Sequence, residues 1–103
     1  MSSYKIKNYT KQQAKKLGVT VKPSTNAKKK IDVFKKVKDK KTNKFFLKKI
    51  ATIGDIKYKD YPTFLAEDGK EKAEKRRAAY KKRHAKDRMV VGSRGYYADR
   101  LLW

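Results

Sequence analysis

Apolar residues recur along this chain at two spacings, and each spacing predicts a different element. Ala14 and Leu17 lie three apart behind a lysine face of Lys11, Lys15 and Lys16, so residues 11–17 read as a short helix. Thr10 and Gln13 stand at the spacing of a capping box. Gly18 is placed to end the helix in the left-handed conformation. Val19, Thr20 and Val21 make a brief β-branched run stopped by Pro23, which cannot donate to a ladder, so an edge strand is expected. Residues 24–30 read as a polar loop. From 31 to 37 the pattern alternates, with Ile31 and Val33 on one face and Asp32 and Phe34 on the other. Residues 39–44 form a turn with Thr42 and Asn43 near its tip, and residues 45–53 form the returning strand. There Phe45, Leu47, Ala51 and Ile53 are expected on one face, broken by Lys49, with Phe46 and Ile50 on the other. A hairpin alone is marginal in water, so a third strand from residues 19–21, or a partner, is expected to support it.

The second half changes period. Asp60 precedes Pro62 and Thr63 as a helix cap would, with proline in the first turn where its missing N–H costs little. Gly69 weakens that helix and is expected to break it. Residues 70–88 contain no proline or glycine and read as a long basic helix. Its acids (Glu71, Glu74, with Glu67 and Asp68 before it) cluster at the start and its bases at the end, as the helix dipole favours. Its apolar seam is thin: Leu65, Ala73, Tyr80, then His84. Residues 89–91 are expected to be extended, Gly92 to Gly95 a turn, and residues 96–103 an aromatic tail of one or two helical turns. Tyr97 with Leu101, and Ala98 with Leu102, then share one side. The fold class is α+β. It comprises a short N-terminal helix, a β-hairpin or small three-stranded antiparallel sheet, a long basic C-terminal helix and an aromatic tail. Residues 1–103 make one small domain, lysine-rich over 1–57 and helical over 58–103.

Charge alters this picture. The chain of 103 residues carries 31 lysines and arginines against 10 acids, a net charge of +21. Such density repels itself and opposes a compact state, so ordering is expected to depend on a polyanion or an acidic partner. Residues 1–57 hold 18 lysines, no arginine and only Asp32, Asp39 and Asp55 as acids. Lysines are strongly hydrated point charges that attract a polyanion without fixing its geometry. All six arginines lie in the second part, where planar contacts to phosphate or carboxylate become available. There is no cysteine, which excludes disulfides and thiolate metal sites. No apolar run approaches the roughly 20 residues of a membrane span, and residues 1–30 lack the apolar core of a secretory signal.

The C-terminal part carries four pieces in order: Asp60-Tyr61-Pro62-Thr63-Phe64; Arg76-Arg77-Ala78-Ala79-Tyr80-Lys81-Lys82-Arg83-His84; Gly92-Ser93-Arg94-Gly95-Tyr96-Tyr97-Ala98-Asp99; and Leu102-Trp103. The string resembles the ends of small lysine-rich proteins of large double-stranded DNA viruses that infect algae and amoebae. The resemblance covers roughly the last 45 residues. It implies a virion setting, with synthesis in the host cytoplasm and coat or other virion proteins as partners. It implies no particular chemistry.

No catalytic set stands out, no cofactor is expected and no metal site, since His84 is the single histidine. It reads as structural or phosphate-facing. Glu67, Asp68, Glu71 and Glu74 read as helix-start electrostatics, and Gly92 to Gly95 as a plain turn. The expected binding face is Lys72, Lys75, Arg76, Arg77, Lys81, Lys82 and Arg83, with Tyr80 between its two clusters and Arg94 beyond. It suits nucleic acid or an acidic protein surface; with no reader of base edges, nucleic-acid binding would lack sequence preference. Tyr96, Tyr97, Leu101, Leu102 and Trp103 either fold back onto the hairpin or anchor a partner. The expected function is a small internal or minor capsid protein bridging coat subunits and facing the anionic interior. The alternative is a sequence-independent nucleic-acid binder that neutralises the packaged genome.

Overall fold

In a computed structural model, described over residues 2–103, the elements run α1 (Asn8–Leu17), β1 (Thr20–Pro23), β2 (Lys29–Lys38), β3 (Phe45–Asp55), α2 (Tyr61–Asp68), α3 (Lys70–Arg83), a 3-10 turn (Asp87–Met89) and α4 (Arg94–Leu102). The fold is α+β. The three strands form one antiparallel sheet in the order β1-β2-β3. The short β-branched run is therefore the third strand, at the edge, with Val21 opposite Val33 and Pro23 opposite Ile31.

The core lies between one face of the sheet and two short helices. Ile31, Val33, Ala51 and Ile53 meet Ala14 of α1 and Leu101 and Leu102 of α4, all buried. Burying a leucine or isoleucine contributes about 1.5–3 kcal/mol, and this core holds few of them. Polar residues complete the interior: Thr10, Ser24, Lys30, Asp32, Asp60 and Asp99 are also buried.

Several local expectations are corrected. Helix α1 begins at Asn8, with Lys7 as a cap that makes no side-chain bond. Thr10 lies inside the helix, and its hydroxyl donates to the Leu101 carbonyl at 2.8 Å. Gln13 likewise donates to the Arg100 carbonyl, at 3.2 Å. Both side chains join α1 to α4 instead of closing a capping box. Gly18 does end the helix at φ 71° and ψ 30°. Lys29 and Lys30, expected in a loop, belong to β2.

In β3 a bulge opposite Val33 and Phe34 breaks the alternation. Ala51 and Ile53 stay opposite Val33 and Ile31, but beyond the bulge Lys49, Leu47 and Phe45 fall opposite Phe34, Lys36 and Lys38. Phe45 and Leu47 thus leave the core face on which alternation places them. Both are exposed.

Helix α2 starts as expected: Asp60 Oδ1 accepts from the Thr63 backbone N–H at 3.0 Å. Gly69, at φ 90°, separates it from α3. Helix α3 stops at Arg83, five residues short of the expected end. His84 leaves the helix, its Nδ1 3.3 Å from Asp87 Oδ2. The chain then turns so that Arg88 points back to Asp99. Of the expected seam, Ala73 is fully buried and Leu65 is exposed.

Candidate polyanion-binding cleft

Three buried aspartates tie the structure together: Asp60 and Asp99 hold the second half in place, and Asp32 joins the sheet to the loop before β2. Asp60 caps α2 and also accepts from Tyr4 Oη at 2.6 Å, Lys30 Nζ at 3.0 Å and Thr63 Oγ1 at 2.6 Å. Burial raises its pKa, but the Lys30 charge and these bonds outweigh burial and hold it below the usual carboxylate range. Burial lowers the pKa of Lys30, partly opposed by Asp60, and raises that of the Tyr4 phenol, with Asp60 adding to the rise. Asp99 is enclosed by Lys81 Nζ at 3.1 Å, Arg88 Nε at 3.0 Å and Arg100 Nη1 at 2.8 Å. Burial opposes ionisation there too, and Arg88 and Lys81 overcome it. Asp32 accepts from Ser24 at 2.7 Å and Thr52 at 2.8 Å, with Lys49 3.6 Å away; burial again opposes the net lowering of its pKa, which the Ser24 and Thr52 bonds produce.

This network divides the basic helix. Arg77 turns inward: its Nε donates to the Trp103 backbone oxygen at 2.7 Å and its Nη2 to Tyr9 Oη at 2.8 Å. Its guanidinium also lies 3.7 Å from the centre of the Tyr61 ring. Lys81 is held by Asp99. These two members of the expected binding face are therefore structural. Lys72 and Lys75 form loose pairs with Asp68 and Glu71, at 4.0 and 3.8 Å, in solvent. Such pairs contribute little and leave both ammonium groups open to an anion. Lys82 and Arg94 are exposed, Arg94 at the start of α4, away from the rest.

Arg76 and Arg83 remain, and they converge. They edge a cleft of about 790 Å³ between α3 and the segment after β3. One wall is Arg76, Ala79, Arg83 and His84; the other is Gly54, Asp55, Tyr58 and Lys59. Its base is aromatic. Trp103 stacks on Tyr80 at 4.3 Å and 7° between planes, and Tyr80 stacks on His84 at 4.4 Å. Phe64 lies 6.2 Å from Trp103, with the Arg76 guanidinium and the Lys59 ammonium each 5.6 Å from its ring centre. Cations over aromatic faces around an open cleft suit a phosphate or carboxylate group carried on a larger body.

The aromatic tail is mostly interior. Leu101 and Leu102 are buried in the protein's own core, so they are not anchors for a partner. Tyr97 packs against that core. Tyr96 is half-buried beside Tyr97 and beneath Arg100, 5.0 Å from its ring centre. Of the five, Leu102 and Trp103 line the cleft, Leu102 from the core side. Sequence reasoning missed Lys30, Lys59 and Phe64 as cleft residues, and Asp99 as the hub that withdraws Lys81. The only sequence signal for Asp99 was its place in the third C-terminal piece.

No protein-family model matches this chain, and no curated protein or solved structure matches it.

The four C-terminal pieces contact one another around α3. Asp60 and Tyr61 bind Lys30 and Arg77; Phe64, Tyr80 and Trp103 share one aromatic cluster; Asp99 ties Arg88 of the turn to Lys81 of α3. The acids at the end of α2 and the start of α3 go to ion pairs or hydrogen bonds: Glu67 and Asp68 with Lys59, and Glu74 with Arg77 and Tyr61. Among the described residues no three His, Asp or Glu side chains come together as metal ligands would.

Proposed function

We propose that this chain is a small structural protein of a large DNA virus particle, an internal or minor capsid component that bridges coat proteins and turns its lysines toward the anionic interior. One observation carries the reading. Each acid of the second half already lies in an ion pair or hydrogen bond, while most lysines of the first half are left exposed without one. Of the 18 lysines before residue 58, only Lys30 and Lys49 form ion pairs among the described residues. A surface so unbalanced fits a place where negative charge is already concentrated. The resemblance of the four C-terminal pieces supports the viral setting.

Gentle opening of purified particles, followed by separation of shell from genome core at moderate salt, tests the reading. The protein is expected in the shell fraction and to resist salt. Recovery with the DNA, and release as salt rises, would replace it by genome neutralisation.

A further inference from the structure

The hairpin formed by β2 and β3 extends beyond the core. None of residues 35–49 is buried, and the molecule measures 50 × 29 × 22 Å. Its surface of 7281 Å² exceeds the roughly 6,000 Å² expected of a compact chain of this mass. This arm is a two-stranded ribbon carrying eight lysines, no arginine and one acid, Asp39. Lysine occurs on both of its faces: Lys36, Lys38 and Lys49 fall on one, Lys35 and Lys48 on the other. Phe45 and Phe46 are exposed on opposite faces at 59% and 49%. Lys36 and Lys38 stand over the Phe45 ring at 4.7 and 6.0 Å.

We propose that this arm is a binding site for double-stranded DNA, seated in the major groove without reading sequence. The groove, about 12 Å wide, admits a two-stranded ribbon and presents phosphates on both walls. A ribbon charged on both faces matches two walls; an acidic protein surface would meet one. Lysines, as strongly hydrated point charges, attract a phosphate backbone without fixing its geometry, which suits binding without sequence preference. Strands rise about 3.3 Å per residue, so the arm reaches roughly 20 Å from the core, about six base pairs. The proposal rests on the reading of the lysine surface as facing an anionic interior, but particle fractionation and the titration below fail separately.

The test is a salt titration of the full chain against a random-sequence DNA duplex, the matching single strand and poly-glutamate. One variant combines Lys36→Gln, Lys38→Gln, Lys44→Gln and Lys48→Gln. A control of equal charge combines Lys5→Gln, Lys11→Gln, Lys15→Gln and Lys16→Gln. Both are expected to melt as the parent does, since all eight side chains are exposed. In the arm variant the slope of log K against log salt is expected to fall by about 3.6, at about 0.9 for each of four phosphate contacts. In the control it is expected to fall by less than about 1, and the duplex should bind more tightly than the single strand. An unchanged slope in the arm variant, or an equal fall in the control, would overturn the site. Equal binding of single strand and duplex would overturn seating in the groove. Tighter, arm-dependent binding of poly-glutamate would assign the arm to an acidic protein.

Discussion

Gly54 shows how a single position can constrain two halves of the molecule. Its φ is 80°, and a Cβ there would lie 2.8 Å from Leu102 Cδ1 and 2.9 Å from Lys30 Cδ. The strand end, the tail and the buried lysine approach each other only because that side chain is missing. Gly54→Ala is expected to destabilise by about 2 kcal/mol or more, measured by urea denaturation, through left-handed strain and the clash together. Asp99 is the second such position. Asp99→Asn leaves Lys81, Arg88 and Arg100 facing each other, each about a third exposed or less. A loss of about 3 kcal/mol is expected, whereas Glu71→Gln, on a pair wholly in solvent, should change stability by under about 0.5 kcal/mol. Equal effects from the two would mean that Asp99 is not a hub.

The elements divide into those that build the core and those that leave it. Helix α4 belongs to the first group. Leu101 is fully buried, and Leu101→Ala is expected to cost about 3 kcal/mol. In the arm the relation reverses. Phe45→Ser combined with Phe46→Ser removes two aromatic rings yet should leave the melting temperature within a few degrees of the parent, because neither ring packs in the core. A large fall would show that the arm folds back onto the body. Helix α3 falls between these groups: Arg77 is directed inward, while Arg76 and Arg83 face the cleft. Truncating Arg77 should therefore lower stability, and truncating Arg83 should weaken anion binding alone.

For the whole molecule the dominant quantity is a net charge of +21. The Debye length shrinks from about 30 Å at 0.01 M salt to about 10 Å at 0.1 M, across a body 29 Å by 22 Å in section. Added salt is therefore expected to raise the melting temperature of the isolated protein, and a bound polyanion to raise it further. A sharp, salt-independent transition at high temperature would contradict partner-dependent ordering. The pH dependence follows from the buried groups. Asp32, Asp60 and Asp99 have lowered pKa values in the folded state. Their contribution is complete above the unfolded value of about 4 and is lost as pH falls below it. Tyr4 has a raised pKa, so its contribution is complete below about 10 and is lost as pH rises beyond that value. A melting temperature that falls below about pH 4 is the expected profile, read by circular dichroism in constant salt; at the alkaline end the lowered pKa of Lys30 opposes the loss from Tyr4.

The sequence alone determined whatever depends on local spacing and on totals. Alternation around Ile31 and Val33 specified the strand and which residues share a face. Gly18 and Gly69 marked helix ends because their backbone freedom is a local property, and Asp60 marked a start for the same reason. Net charge and the segregation of lysine from arginine needed no coordinates. Tertiary structure decided whatever depends on residues far apart in the chain. Thr10 resembles a cap until Leu101, 91 residues away, accepts its hydroxyl. Phe45 and Leu47 lie on the core face by period until a bulge, invisible to period, moves them to the other. Arg77 and Arg83 are alike on the helix, and only the positions of Trp103, Tyr9 and Tyr61 distinguish the structural one from the one facing the cleft. Spacing records neighbours along one element. Burial and pairing of charge are set where elements meet, and there the roles of these lysines and arginines were decided.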